Sequence, residues 1–213
     1  MSESDVDPAQ VASEVDALER SEQSLVAHLR SLAPVDPAAP TVLPGWTLGH
    51  VLTHIARNAD SMLRMLAGLG QYWKGLESRA ADIELGSGRP WSELVDDIEA
   101  TSEAVVRRMR EVTDWTGSIR STRAERPKAM APMVRRGEVE IHHTDLGLGY
   151  DFVDMPADFV RAEGRRLEMT WKARQPMGLT EFPETVLRLA PHERLAWLCG
   201  RRVVDGVEPA GVF

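Results

Sequence analysis

Two residue pairs at helical spacing carry the most chemistry in this chain. They are His50-x-x-x-His54 and Glu138-x-x-x-His142, the second followed by Asp145. Side chains four apart lie on one helical face, a turn apart. Imidazole nitrogens and carboxylate oxygens bind divalent cations, and catalytic zinc sites of two histidines and one carboxylate keep a further position open. Glu138, His142 and Asp145 share a face with Val134, Ile141 and Leu148, so they are expected to point into the protein. Acids and a histidine buried there would be costly unless paired or bound to a cation. His143 points away from that face and is expected at the surface or periphery. In the first pair, His54 sits at the edge of an apolar stripe and Asn58 within it. His50 lies further towards water, three residues after the expected N-cap Thr47, where a side chain serves the helix end. His54, Glu138 and His142 therefore form a candidate metal triad. The competing reading makes each histidine a hydrogen-bonded core residue. Asp145 either accepts from a ligand histidine or pairs with an arginine.

Weaker candidates lie elsewhere. Arg201 and Arg202 follow a short helix and a glycine, and a guanidinium there can hold a carboxylate bidentately. The alternative is an exposed pair closing the helix end. Cys199, at the end of LAWLC, reads as a small core residue. Trp46, Trp91 and Trp171 read as packing anchors, and the pairs Arg107-Arg108 and Arg135-Arg136 as solvated faces.

The elements that must position these residues follow from periodicity. Val11, Val15, Leu18, Leu25, Leu29 and Leu32 form a stripe over Ala9 to Leu32 that only Glu22 interrupts, which predicts an amphipathic helix. Three prolines between Pro34 and Pro40 end it. A second helix is expected after Thr47, closing near Gly68 or Gly70. A loop is expected at Gly86 to Pro90, and a third helix over Trp91 to Val112. The stretch from Thr113 to Lys128 is polar and irregular. A fourth helix is expected from about Pro132 to Gly147 or Gly149. Four such helices suggest a bundle. Beyond Tyr150 the spacing predicts a helix over Pro156 to Arg174, a strand at Thr185 to Leu189, and a short helix from Pro191 to Cys199 closed by Gly200.

Composition narrows the field. The chain has 213 residues, 43% of them apolar and 27% charged, a globular balance. A single cysteine excludes an internal disulfide and a cysteine-based zinc cluster and makes a reducing, cytoplasmic location the expectation. No apolar run is long enough to span a membrane. The acidic MSESDVDPAQ lacks the features of a secretory signal. Net charge is −8 and uneven: residues 1–106 carry 7 basic and 17 acidic side chains, the remainder 18 and 16. Such a chain is a poor partner for nucleic acid, and an anion site is better sought in the second half. Oligomeric state is not legible.

The segments LPGWTLGHVLTHIARNAD and RRGEVEIHHTDLGLGY, with the later LAWLCGRRVVDGV, resemble the mycothiol-dependent maleylpyruvate isomerase family. The likeness runs from about Ala9 to Val207. It implies a mostly α protein: a DinB-like four-helix metal-binding bundle over residues 1–150 and a small α/β C-terminal domain over 151–213. It implies His54, Glu138 and His142 as metal ligands, and Arg201 as an arginine associated with activity, although Arg202 blurs that match. It also implies zinc or another divalent metal, mycothiol as thiol co-substrate, and a small-molecule electrophile as partner. The expected reaction is thiolate-mediated isomerisation of maleylpyruvate to fumarylpyruvate. A mycothiol-dependent S-transferase and a non-catalytic metal-binding module are the alternatives, and a closed coordination sphere completed by Asp145 would favour the module. The short C-terminal region departs from the family pattern.

Overall fold

The computed structural model describes residues 6–175 and 181–213. The first five residues of the acidic N-terminus lie outside that range. The chain divides into two compact units, Met1–Gly147 and Leu148–Phe213.

The first unit is built on four long helices: α1 (Pro8–Ser31), α2 (Leu48–Leu66), α4 (Trp91–Glu111) and α5 (Ala131–Asp145). A further helix, α3 (Leu76–Ser87), packs on α2. Each start has a local cause. Asp7 accepts from the Ala9 amide at 2.9 Å with Pro8 in the first turn of α1. The Thr47 amide donates to His50 Nδ1 at 3.2 Å, so His50 serves the start of α2. Around the bundle the neighbours run α1, α4, α2, α5 and back to α1. Helices α2 and α5, distant in sequence, are thus adjacent in space. Leu18, Leu25, Leu29, Val51, Leu52, Ile55, Ile98 and Val105 are fully buried between them. Between α4 and α5, Ser118–Arg120 (β1) pairs antiparallel with Glu125–Pro127 (β2).

The core also holds charge. Arg135 has no exposed surface and Arg136 only 4%, against the solvated face expected for this pair. Helix α5 has no outer side. Arg135 reaches Glu22 on α1 at 2.8 Å through Nε, and the Ile55 carbonyl and Asn58 Oδ1 on α2 at 2.8 and 2.9 Å through Nη1. Ser102 on α4 donates to Glu22 at 2.6 Å. Glu22 interrupts the stripe because it neutralises Arg135. A second set joins Arg136, Ser21 and Glu140 between α5 and α1. His143, expected at the periphery, is 2% exposed, with Nε2 2.7 Å from His28 Nδ1 on α1. Burial, helped by repulsion from His28, pushes its pKa down to about 3.

Helix α3 lacks an apolar stripe, and only Ile83 is buried along it, so the periodicity reading missed it. Its end occupies the first two positions of the expected 86–90 loop. Two glycines let it lie close on α2: a Cβ at Gly49 would meet the Ser87 carbonyl oxygen at 1.9 Å, and one at Gly86 would meet Thr53 Cγ2 at 2.5 Å.

In the second unit, α6 (Ala157–Ala173) packs on α8 (Pro191–Leu198), with α7 (Glu184–Leu187) before it. Trp171, Phe182 and Trp197 pack with ring centroids 4.9–5.9 Å apart. The strand expected at 185–189 is replaced by the α7 turn. Pro183 stands before the turn with extended backbone, and its carbonyl accepts from the Val186 and Leu187 amides. Among the described residues, the β character expected of this unit is confined to the isolated bridge Val204–Val207.

Arg135→Ala leaves Glu22 buried and unpaired, and we expect a loss of about 3–5 kcal/mol in urea unfolding. The double variant Glu22→Leu with Arg135→Met should recover most of it; a mild effect of Arg135→Ala alone would contradict a buried joint. His143 contributes to the acid dependence. Its folded pKa lies below the unfolded value of 6.5, so the unfolded chain binds the extra proton. Stability should fall as pH drops from about 6.5 to about 3, by up to about 1.4 kcal/mol per pH unit from this group. His143→Gln should flatten that limb.

Candidate metal centre

His54 stands in the second turn of α2, and Glu138 and His142 lie one turn apart on α5. Where these helices meet, His54 Nε2 lies 3.2 Å from Glu138 Oε2 and 3.1 Å from His142 Nε2, and His142 Nε2 lies 3.6 Å from Glu138 Oε2. Two ligands bound tetrahedrally at about 2.0–2.1 Å lie about 3.3–3.4 Å apart. The three atoms therefore have the spacing of one face of a cation's coordination polyhedron, and these residues fit a divalent metal. Two histidines and a carboxylate suit zinc, and nickel, iron or manganese as well.

Neighbouring groups fix the rings. Asp145 Oδ2 accepts from His142 Nδ1 at 2.8 Å, which puts the proton there and leaves the Nε2 lone pair facing the centre. Asp145 is fully buried on the far side of that ring from the other donors. It is thus placed to orient the His142 ring, with that ring between it and the other donors. Trp46 sets its ring edge-on to His54 at 5.5 Å. Arg79 on α3 brings Nη2 to 3.1 Å from His54 Nδ1. The His54 and His142 side chains are 8% and 9% exposed, while Glu138 keeps 27%, so the carboxylate lies on the open side.

Electrostatics follow this placement. Burial is the largest influence on His54, ahead of its neighbours, and takes its pKa down to about 4, so the ring is neutral at pH 7. Burial works the same way on His142, but Asp145 and Glu138 outweigh it and raise the pKa. Burial alone would raise Glu138; the adjacent His142 and His54 rings overcome it and hold the carboxyl well below its usual range.

Comparison with known proteins gives the family. The family model described as the mycothiol maleylpyruvate isomerase N-terminal domain matches residues 18–147. This chain belongs to that family. A crystal structure of the mycothiol-dependent maleylpyruvate isomerase superposes with a TM-score of 0.77 at 18% identity, covering 95% of this chain and 92% of that one. A crystal structure of a histidine-to-alanine mutant of it gives 0.79 at 17% identity with the same coverage. At these identities the likeness is one of fold, here mostly α. No curated protein matches. Among the described residues no helix is long and apolar enough to cross a membrane.

The three residues that the sequence resemblance implied as ligands, His54, Glu138 and His142, converge in space. His50 is engaged with Thr47 and stands 3.3 Å from Glu84, away from the triad. Arg201 belongs to the second unit, where Nη1 donates to the Cys199 carbonyl at 2.7 Å and the guanidinium lies over the Phe213 ring. Arg202 pairs with Glu193 at 2.9 Å. Cys199 is buried, as a core residue should be. Arg79 went unnoticed in the sequence, because a lone arginine on a stripeless helix carries no periodic signal.

After loading with zinc and desalting, the protein should retain about one equivalent, and His54→Ala and Glu138→Ala should retain little. Equal metal in all three would remove the centre. Because the pKa of His142 is raised, a proton competes for its ring. Affinity should weaken as pH falls below that raised value, and calorimetry in buffers of different ionisation enthalpy should show proton release on binding near neutral pH.

Proposed function

We propose that the protein is a metal-dependent thiol enzyme that isomerises maleylpyruvate to fumarylpyruvate with mycothiol as co-substrate. The observation that carries this reading is the convergence of His54, Glu138 and His142 with the carboxylate side open. Those three residues would hold zinc or a similar divalent ion, which, when bound, lowers a coordinated thiol's pKa towards neutrality. Family membership supports the thiol and the substrate.

In the reaction, the thiolate sulfur adds to the cis double bond conjugated with the substrate's ketone. The π pair moves to the carbonyl oxygen as an enolate. The former double bond is then single and rotates. When the enolate reforms the ketone, its electron pair rebuilds the double bond in trans geometry and expels the thiolate. No atom or electron is gained or lost. The chain's own residues hold and orient. Asp145 keeps the proton of His142 on Nδ1. The neutral imidazole of His54 adds no positive charge. Arg201 is assigned to a substrate carboxylate, where a guanidinium also favours the enolate; its match to the family's arginine supports this.

Turnover of maleylpyruvate should require both metal and mycothiol, and Arg201→Gln should lower kcat/KM by at least about 100-fold, on the scale of a lost transition-state donor. Equal rates with and without thiol, followed by the change in substrate absorbance, would overturn the proposal.

A further inference from the structure

We infer that Arg79 anchors a carboxylate of the small-molecule substrate beside the metal centre, an assignment that deepens the proposed function and rests on it. Arg79 lines a cavity of about 400 Å³ between α2, α3 and the segment that joins them. Four arginines line this cavity and they are not equivalent. Arg57 is held by Asp60 at 3.2 Å and Asp97 at 2.6 Å, and Arg89 by Asp97 at 2.7 Å. Arg64 donates to the Gly70 carbonyl and lies over Trp73. Among the described residues, Arg79 has no carboxylate within ion-pair distance; its neighbours are uncharged, His54 Nδ1 at 3.1 Å and the Tyr72 phenol.

That bond depends on His54 being free of metal. A guanidinium only donates, so Nδ1 accepts, and the proton of the neutral ring sits on Nε2, directed at Glu138 and His142. Ligation through Nε2 uses that nitrogen's lone pair, and the ring proton then belongs on Nδ1. A guanidinium facing an N–H has no bond to make. Metal binding would thus remove the His54 bond and leave Arg79 beside the neutral Tyr72 phenol, a cation without a paired anion at the wall of a cavity, one imidazole width from the centre. A planar carboxylate is the partner its fork fits. The close contacts at Gly49 and Gly86 fix α3 on α2 and so fix the base of the Arg79 side chain. A substrate with a carboxylate at each end needs two anchors, and Arg79 supplies one of them.

The test is calorimetric titration of the zinc-loaded protein with maleate, an unreactive dicarboxylate, with metal content measured in each sample. Arg79→Gln should retain its zinc and bind maleate at least 10-fold more weakly, and Arg64→Gln should change affinity less. Unchanged maleate affinity in Arg79→Gln overturns the inference. The wild type alone gives a second reading: the uncharged diamide of maleate should bind at least 10-fold more weakly, and equal binding overturns the inference whatever the variants do. Tighter binding of inorganic phosphate than of maleate also overturns it. Maleate binding needs no turnover. Arg79-dependent binding by a protein with no isomerase activity sinks only the isomerase reading, and thiol-dependent turnover with Arg79-independent binding sinks only this one.

Discussion

Arg135 carries a full charge at a point with no exposure to water, and that is tolerable only because its donors are matched from three directions. Glu22 supplies the opposite charge from α1, while Ile55 and Asn58 supply oxygens from α2. A guanidinium with fixed donor directions specifies position in a way that an apolar contact does not. Ile55 follows His54 in the chain, and Arg135 lies three residues before Glu138. The joint therefore ties the two helices within a turn of the metal donors. Spacings of 3.1–3.6 Å between side chains on separate helices need such a tie, since an error of 1 Å would separate the donors.

The centre extends the same logic. Three donors this close repel unless something sits among them. A proton on His54 Nε2, 3.2 Å from Glu138 Oε2 and 3.1 Å from His142 Nε2, would fill that role. A divalent cation would fill it with more charge and stronger bonds. Asp145 prepares the exchange: by holding the His142 proton on the outer nitrogen, it keeps the inner lone pair available. Burial of His54 acts in the same direction, because a ring that resists protonation at neutral pH remains a ligand.

Much of this was legible in the sequence. The stripes of α1, α2 and α4 placed those helices within a residue or two of their observed bounds, apart from the C-terminus of α2. The facing argument favoured His54 over His50 and His142 over His143. Periodicity failed on α5, and for a physical reason. A helix buried on all sides has no polar face, so Arg135, Arg136 and His143 look like surface residues until their partners are known. Those partners, Glu22, Ser21 and His28, lie more than a hundred residues away in the chain. Glu22 was visible as a break in a stripe, a signal whose meaning depended on Arg135. At 185–189, five alternating residues were too few to separate a strand from a helical turn.

Helix α3 shows the opposite arrangement. It buries one apolar side chain, sits outside the four-helix ring, and is held to α2 by contacts that only glycine permits. A helix with so little buried surface adds little to the stability of the bundle, so its outward and cavity-facing residues are free of packing demands. The joint and the ligands occupy the opposite situation, where a change in one partner strands another in a low-dielectric interior. The fold thus separates two tasks. The buried network fixes where His54, Glu138 and His142 meet, and α3, through Arg79, Asp82 and the neighbouring Tyr72, presents polar groups to the cavity beside them. Substitutions that alter the choice of substrate should therefore be tolerated on α3, whereas the same chemical changes on α5 would cost the fold itself.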